Sequence, residues 1–182
     1  MALKWITGCG GPLLLLAAEW IEAWEGVDPP SGGRVVRLAD ADKRLIPEAP
    51  ASDYDRACEI EEPLANLEVG NGRGIVIGGE PDPVCHWQRD GRHFLVRWVR
   101  AESEGAILEH LAGADLEKSE PMSWIEASPG PLVLFDAAVP GGEIEEDCVQ
   151  IDVHPGLYVA SVSRLEPDEE IELVLIELAP AG

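Results

Sequence analysis

A chain of 182 residues with 46% apolar side chains is long enough to bury a core of its own and reads as one domain. Its 35 acids against 13 bases give a net charge of −22, which repels nucleic acid and anionic membrane and favours a basic protein as partner. Four scattered cysteines without a paired spacing predict reduced thiols in the cytoplasm, not a disulfide framework.

Trp5-Ile6 opens the chain, and after Gly11-Pro12 the run Leu13–Leu16 is apolar without a break, the pattern of a strand buried on both faces. Ile6-Thr7-Gly8-Cys9 has the look of a lipoprotein cleavage box, but the apolar run follows the cysteine and is too short for a signal core or a membrane span. No cleaved export signal is expected. Glu19–Trp24 reads as a helical turn with Trp20 and Trp24 on one side. Asp28–Gly33 is a loop by composition, Arg34–Leu38 a brief strand, and Asp40–Ser52 a long connection rich in proline and charge. Ser52 or Asp53 caps a helix that runs through Ala57 to about Glu62, where Pro63 stops it. Leu64–Val69, Gly74–Ile77 and Phe94–Val99 follow as strands, with tight turns at Gly70-Asn71-Gly72 and Asp90-Gly91. Glu102–Leu111 is the strongest helix, striped by Ile107, Leu108 and Leu111 and ended by Gly113. The remaining strands are Ser123–Ala127, Leu132–Phe135, Gln150–Val153, Leu157–Leu165 and Ile171–Leu178. The last is apolar on both faces and belongs at the centre of a sheet.

Two stretches repeat. Trp5-Ile6, Gly11-Pro12-Leu13 and Leu15 return 119 positions later as Trp124-Ile125, Gly130-Pro131-Leu132 and Leu134. A second echo sets Leu67-Glu68-Val69, Gly72 and Glu80-Pro81-Asp82 against Ile151-Asp152-Val153, Gly156 and Glu166-Pro167-Asp168. Two copies are too few for a solenoid. The expected fold is therefore mainly β (α+β): two β-rich halves from an internal duplication, packed sandwich-like with one or two short helices. The first half spans 1–112, with the bridging helix at about 102–111. The second spans 113–182, and the two make one compact domain.

No catalytic grouping emerges. There is no Gly-x-Ser-x-Gly elbow, and Cys58 stands among acids that suppress a thiolate, so it reads as a small buried helix residue. Gly70–Gly79 precedes a strand, whereas a phosphate loop needs a helix behind it. Cys85-His86 with His93 lacks a fourth ligand, and the two histidines read as solvent-facing residues flanking a hairpin. Neither enzyme activity nor a metal or other cofactor is expected.

A binding surface is. Residues 113–182 hold 16 acids against Lys118 and Arg164 alone, while 1–112 hold 19 acids and 11 bases. The acids gather in two runs: Glu143, Glu145, Glu146 and Asp147, then Glu166, Asp168, Glu169 and Glu170, with Glu172 just beyond. Both are candidate partner contacts. Tyr54 and Arg56 form a third candidate, against the plainer reading that Tyr54 packs the helix on the sheet and Arg56 pairs with Asp53 or Glu59.

Several of these stretches together resemble the immunity protein 21 family of bacterial polymorphic toxin systems. They are Trp5-Ile6 with Gly10–Leu16, Asp53–Cys58, Leu95–Trp98 before an acidic helix start, and Gly156-x-Tyr158 through Glu166-Pro167-Asp168. The resemblance spans nearly the whole chain and implies a protein that neutralises a cognate toxin by binding it. It transfers no contact residues, and the stretch between Asp28 and Ser52 departs in length from the family pattern. The charge suits a basic, nucleic-acid-degrading toxin. A small-molecule-binding or purely structural β-sandwich is the alternative.

Overall fold

Leu13–Leu16 can bury both faces only in a strand with layers above and below it, and that demand organises the molecule. The computed structural model describes residues 3–28, 36–39, 44–47, 52–79, 81–116, 121–144 and 146–181. The first half supplies β1 (Trp5–Ile6), β2 (Leu13–Ala17), β3 (Val36–Ala39), β4 (Arg44–Pro47), α1 (Asp53–Cys58), β5 (Leu64–Val69), β6 (Gly72–Ile77), β7 (Val84–Arg89), β8 (Arg92–Arg100) and α2 (Glu104–Gly113). The second supplies β9 (Pro121–Ala127), β10 (Leu132–Asp136), β11 (Cys148–Ile151), β12 (Gly156–Leu165) and β13 (Glu172–Pro180). Short 3-10 turns occupy Ala18–Ala23 and Gly141–Glu143.

The strands form two antiparallel sheets, ordered β11-β10-β2-β6-β5 and β1-β7-β8-β13-β12-β9, with β3 and β4 as a separate ribbon. This is the mainly β sandwich the sequence predicts. Ile6, Leu13, Leu15, Ile75, Leu95, Ile125, Leu134, Ile151 and Ile176 fill the space between the sheets. Leu14, Leu16, Val133 and Phe135 face the other way, under Trp24 and Ala57. The outer face of the larger sheet buries Phe94, Val96, Leu173 and Leu175 beneath Ile107 and Leu111 of α2. Each fully buried aliphatic contributes about 1.5–3 kcal/mol. As expected, β13 is central, between β8 and β12.

Both strand orders survive an exchange of the halves. Swapping β1 with β9, β7 with β12 and β8 with β13 reverses the larger sheet onto itself; swapping β2 with β10 and β6 with β11 does so in the smaller one, leaving β5 over. Leu15 pairs with Leu134, its own counterpart in the first echo. The second echo does not fit this exchange: Gly72 starts β6 in one sheet, while Gly156 starts β12 in the other. The registers align Ile77 with Ile151 and Val84 with Tyr158 instead, through their partners Leu13 and Leu132, Ile6 and Ile125. Those side chains match too loosely for the sequence to reveal it.

Other departures have local causes. Val84–Arg89 was not foreseen as a strand, because β7 buries Val84 on one face and Cys85 on the other, so no polar–apolar alternation marks it. α1 stops at Cys58 instead of Glu62. Its capping box joins Ser52 to Asp55 as the composition suggests. Cys58 is exposed, not buried. Ala18–Ala23 is a 3-10 turn, and three residues per turn set positions i and i+4 about a third of a turn apart. Trp24 therefore enters the core, its indole N–H donating to the Ala137 carbonyl at 3.0 Å, while Trp20 lies half-buried at the edge. Within the expected Arg34–Leu38 strand and the 40–52 connection, Val36–Ala39 pairs with Arg44–Pro47. Most of the rest of that region lies outside the described residues.

Candidate binding surfaces

Strand register decides which loops meet. Ile6 pairs with Val84, Leu13 with both Ile77 and Asp136, and Phe135 with Cys148, so the 137–147 loop leaves and re-enters its sheet at the end of the sandwich where β6 crosses to β7. Its middle folds back onto the Ala18–Ala23 turn, with the Gly141 N–H donating to the Trp24 carbonyl at 2.7 Å. Leu165 pairs with Leu173 and Glu172 with Arg100, while Arg97 pairs with Val84. The 166–171 turn therefore starts and ends at that same end, and Asp168 comes within 3.8 Å of His110 on α2. The two acidic runs thus leave the two sheets at one end but fold back against different neighbours, the first on the Ala18–Ala23 turn and the second on α2.

Glu143, Glu146, Asp147, Glu166, Asp168, Glu169 and Glu170 are all exposed. Glu145 lies outside the described residues. The first half adds exposed Glu61, Glu62 and Glu102, so exposed acid is not the property of the second half alone. The arginines at this end are already engaged: Arg97 with Asp82 at 3.0 Å, Arg100 with Glu172 at 3.4 Å, and Arg164 with Glu166 at 2.8 Å. Asp168 also ties its own turn, accepting from the backbone N–H groups of Glu170 and Ile171 at 2.9 and 3.0 Å. The remaining carboxylates face water and leave a negative field around both loops.

Tyr54 and Arg56 are differently placed. Tyr54 is half-buried against the cluster under α1, and its hydroxyl lies over Gly11. Arg56 pairs with Asp53, which is 3% exposed and also accepts from the Glu25 N–H at 3.0 Å. Its other partner is the Glu68 carbonyl. Both residues hold α1 in place.

Groups with reactive atoms are held quiet. A hydrogen bond with Cys58 and then burial push the Tyr54 hydroxyl up to about 12. Burial, with Glu104 nearby, pushes the Cys85 thiol up to about 12, and partial desolvation at the sulfur, with Asp55 and Asp136 nearby, raises Cys58 although the residue as a whole is exposed. These are thiols, not the thiolates that act as nucleophiles. His86 and His93 do flank the β7–β8 hairpin, but they stack on each other instead of facing solvent, with ring nitrogens 3.1 Å apart. Burial first, then the neighbouring imidazole, pushes His86 down to about 4. Among the described residues no group of three or more potential metal ligands comes together, and no helix is long and apolar enough to cross a membrane.

At the opposite end, a cleft of about 490 Å³ opens between Trp20 and Trp124, with Glu19, Glu68, Arg73 and Glu126 around it. The β5–β6 turn forms its floor, and Gly72 has no room for a side chain: a Cβ there would stand 2.3 Å from the Trp20 indole nitrogen. Asn66 fixes Trp124 by donating to its carbonyl at 2.6 Å and accepting from its N–H at 3.4 Å. Sequence reasoning missed this site. Its one signal was that Trp124, repeated from Trp5, needs a reason to remain tryptophan where no helix follows to cover it.

The fold and its surfaces define a packed two-sheet sandwich with exposed acidic loops and an aromatic cleft. The immunity protein 21 family matches residues 4–171, and the chain belongs to that family. No curated protein and no solved structure matches it.

Proposed function

We propose that this protein protects its cell by binding a cognate toxin and blocking it through protein–protein contact. The observation that carries the reading is the match to the immunity protein 21 family over residues 4–171, and the two exposed acidic runs, with the arginines beside them already ion-paired, are the surfaces it offers. A field of that kind speeds the encounter with a basic surface and repels nucleic acid, so a basic toxin, with a nuclease as the leading example, is the proposed partner. A packed sandwich suits inhibition, because a preordered surface loses little entropy on binding. Family membership supports the immunity role, a non-enzymatic mechanism and a toxin partner in general terms. The cytoplasm, where cysteines outside disulfides stay reduced, is the proposed site of action.

The exchange symmetry of the strand orders supports an origin by duplication, with 1–112 and 113–182 as the two copies. Co-expression with the toxin-like product of a neighbouring gene tests the function. Survival of the cells and co-purification of the pair are expected; survival lost or retained independently of complex formation would remove the binding mechanism.

A further inference from the structure

We propose that the cleft between Trp20 and Trp124 receives an arginine side chain presented by a protein partner. This goes beyond the toxin reading, because it concerns the chemistry of one site and holds whatever that partner is.

Charge and shape select the occupant. Three carboxylates, Glu19, Glu68 and Glu126, stand around the cleft against one cation, Arg73. An anion is repelled, and a purely apolar group would have to desolvate those acids without compensation. Two indole rings supply what a planar cation prefers, since guanidinium stacks on aromatic faces while its N–H groups fork onto carboxylates. Ammonium matches the charge but neither the stacking nor the fork.

The molecule already displays the pose. The Arg73 guanidinium lies 4.1 Å from the Trp124 ring centroid and 3.8 Å from a Glu68 carboxylate oxygen. It occupies one aromatic face, and the remaining carboxylates and Trp20 frame the rest of the opening. Trp124 is 39% exposed, its backbone is held by Asn66 and its ring is backed by Arg73, so the ring is accessible without being needed to fill the core. Such a prepaid geometry is what a binding anchor requires.

The test uses the intact protein and N-acetyl-L-arginine amide, read by NMR at the tryptophan indole N–H signals, which Trp20→Phe and Trp124→Phe assign. Saturable shifts confined to Trp20 and Trp124 are expected, with half-saturation in the millimolar to tens-of-millimolar range, on the order of what one side chain supplies. N-acetyl-L-lysine amide should bind about threefold more weakly or worse, for the reasons of stacking and fork geometry. Glu68→Gln and Glu126→Gln should each weaken arginine about threefold, whereas Arg73→Met, by removing the internal competitor, should tighten it by a similar factor. All three positions are at the surface, and near-UV circular dichroism confirms each variant's fold. Linear shifts shared by all indoles, equal binding of lysine, or indifference to Arg73→Met would each overturn the proposal.

Discussion

Trp5 and Trp124 occupy matching places in the two halves, each on the edge strand of the same sheet, yet they do different work. Trp5 lies half-buried beside α2, donating its indole N–H to Glu104 at 2.8 Å and meeting Trp98 edge-on at 5.3 Å. Trp124, 39% exposed, stacks instead on Arg73. One occurrence of the motif closes the fold and the other stays open to solvent. A repeated motif offers that freedom: once a single occurrence suffices for stability, the second can face outward.

Four measurements can break or sharpen this contrast. Trp5→Ala should remove packing under α2 and strand the Glu104 carboxylate, costing about 2–4 kcal/mol of stability in urea denaturation. A loss below 1 kcal/mol would mean that α2 does not depend on its tryptophan. At the outward-facing surface the largest effect is kinetic. Reversing Glu143, Glu146, Glu169 and Glu170 to Lys should slow association with a basic partner about tenfold or more, with steep salt dependence and little change in dissociation. An on-rate indifferent to both would reduce the acidic loops to a solubility device.

The pH dependence is more modest. Folding lowers the His86 pKa to about 4, against an ordinary value near 6.5, so the native state favours the neutral ring. Its contribution is complete above pH 6.5 and is lost as the pH falls through 6.5 towards 4. That loss is roughly 1–2 kcal/mol after screening of a partly exposed ring is allowed for. His86→Gln should flatten the stability profile across this window; an unchanged slope would assign the acid sensitivity to other groups. Smallest of all, Trp124→Ala should cost about 0.5 kcal/mol or less, since little of the core rests on it. A penalty equal to that of Trp5→Ala would erase the distinction between the two copies.

Much of the fold was legible because its signals are local. Leu13–Leu16 and Leu132–Phe135 announce strands covered on both faces, and the capping box at Ser52 marks α1. β7 was illegible for a matching reason: with both faces covered, Val84 and Cys85 read alike. The acidic runs were visible as composition, but which elements they fold against, the Ala18–Ala23 turn for one and α2 for the other, depends on contacts far apart in sequence, which no short window contains. The cleft was hidden more deeply. It needed the turn at Ala18–Ala23 to be 3-10 and not α-helical, which swings Trp20 away from the Trp24 side and over the Gly70–Gly72 hairpin.

The Asn66 amide has a consequence for how this molecule meets others. β9 is the terminal strand of its sheet, and an open strand edge invites any extended chain to add another row of backbone hydrogen bonds. Asn66 fills the Trp124 N–H and carbonyl from the side, interrupting the ladder near its middle. A second copy, or a stray unfolded segment, finds no continuous edge to zip onto. Recognition along this border must therefore pass through side chains, which can discriminate, instead of through backbone, which every protein shares.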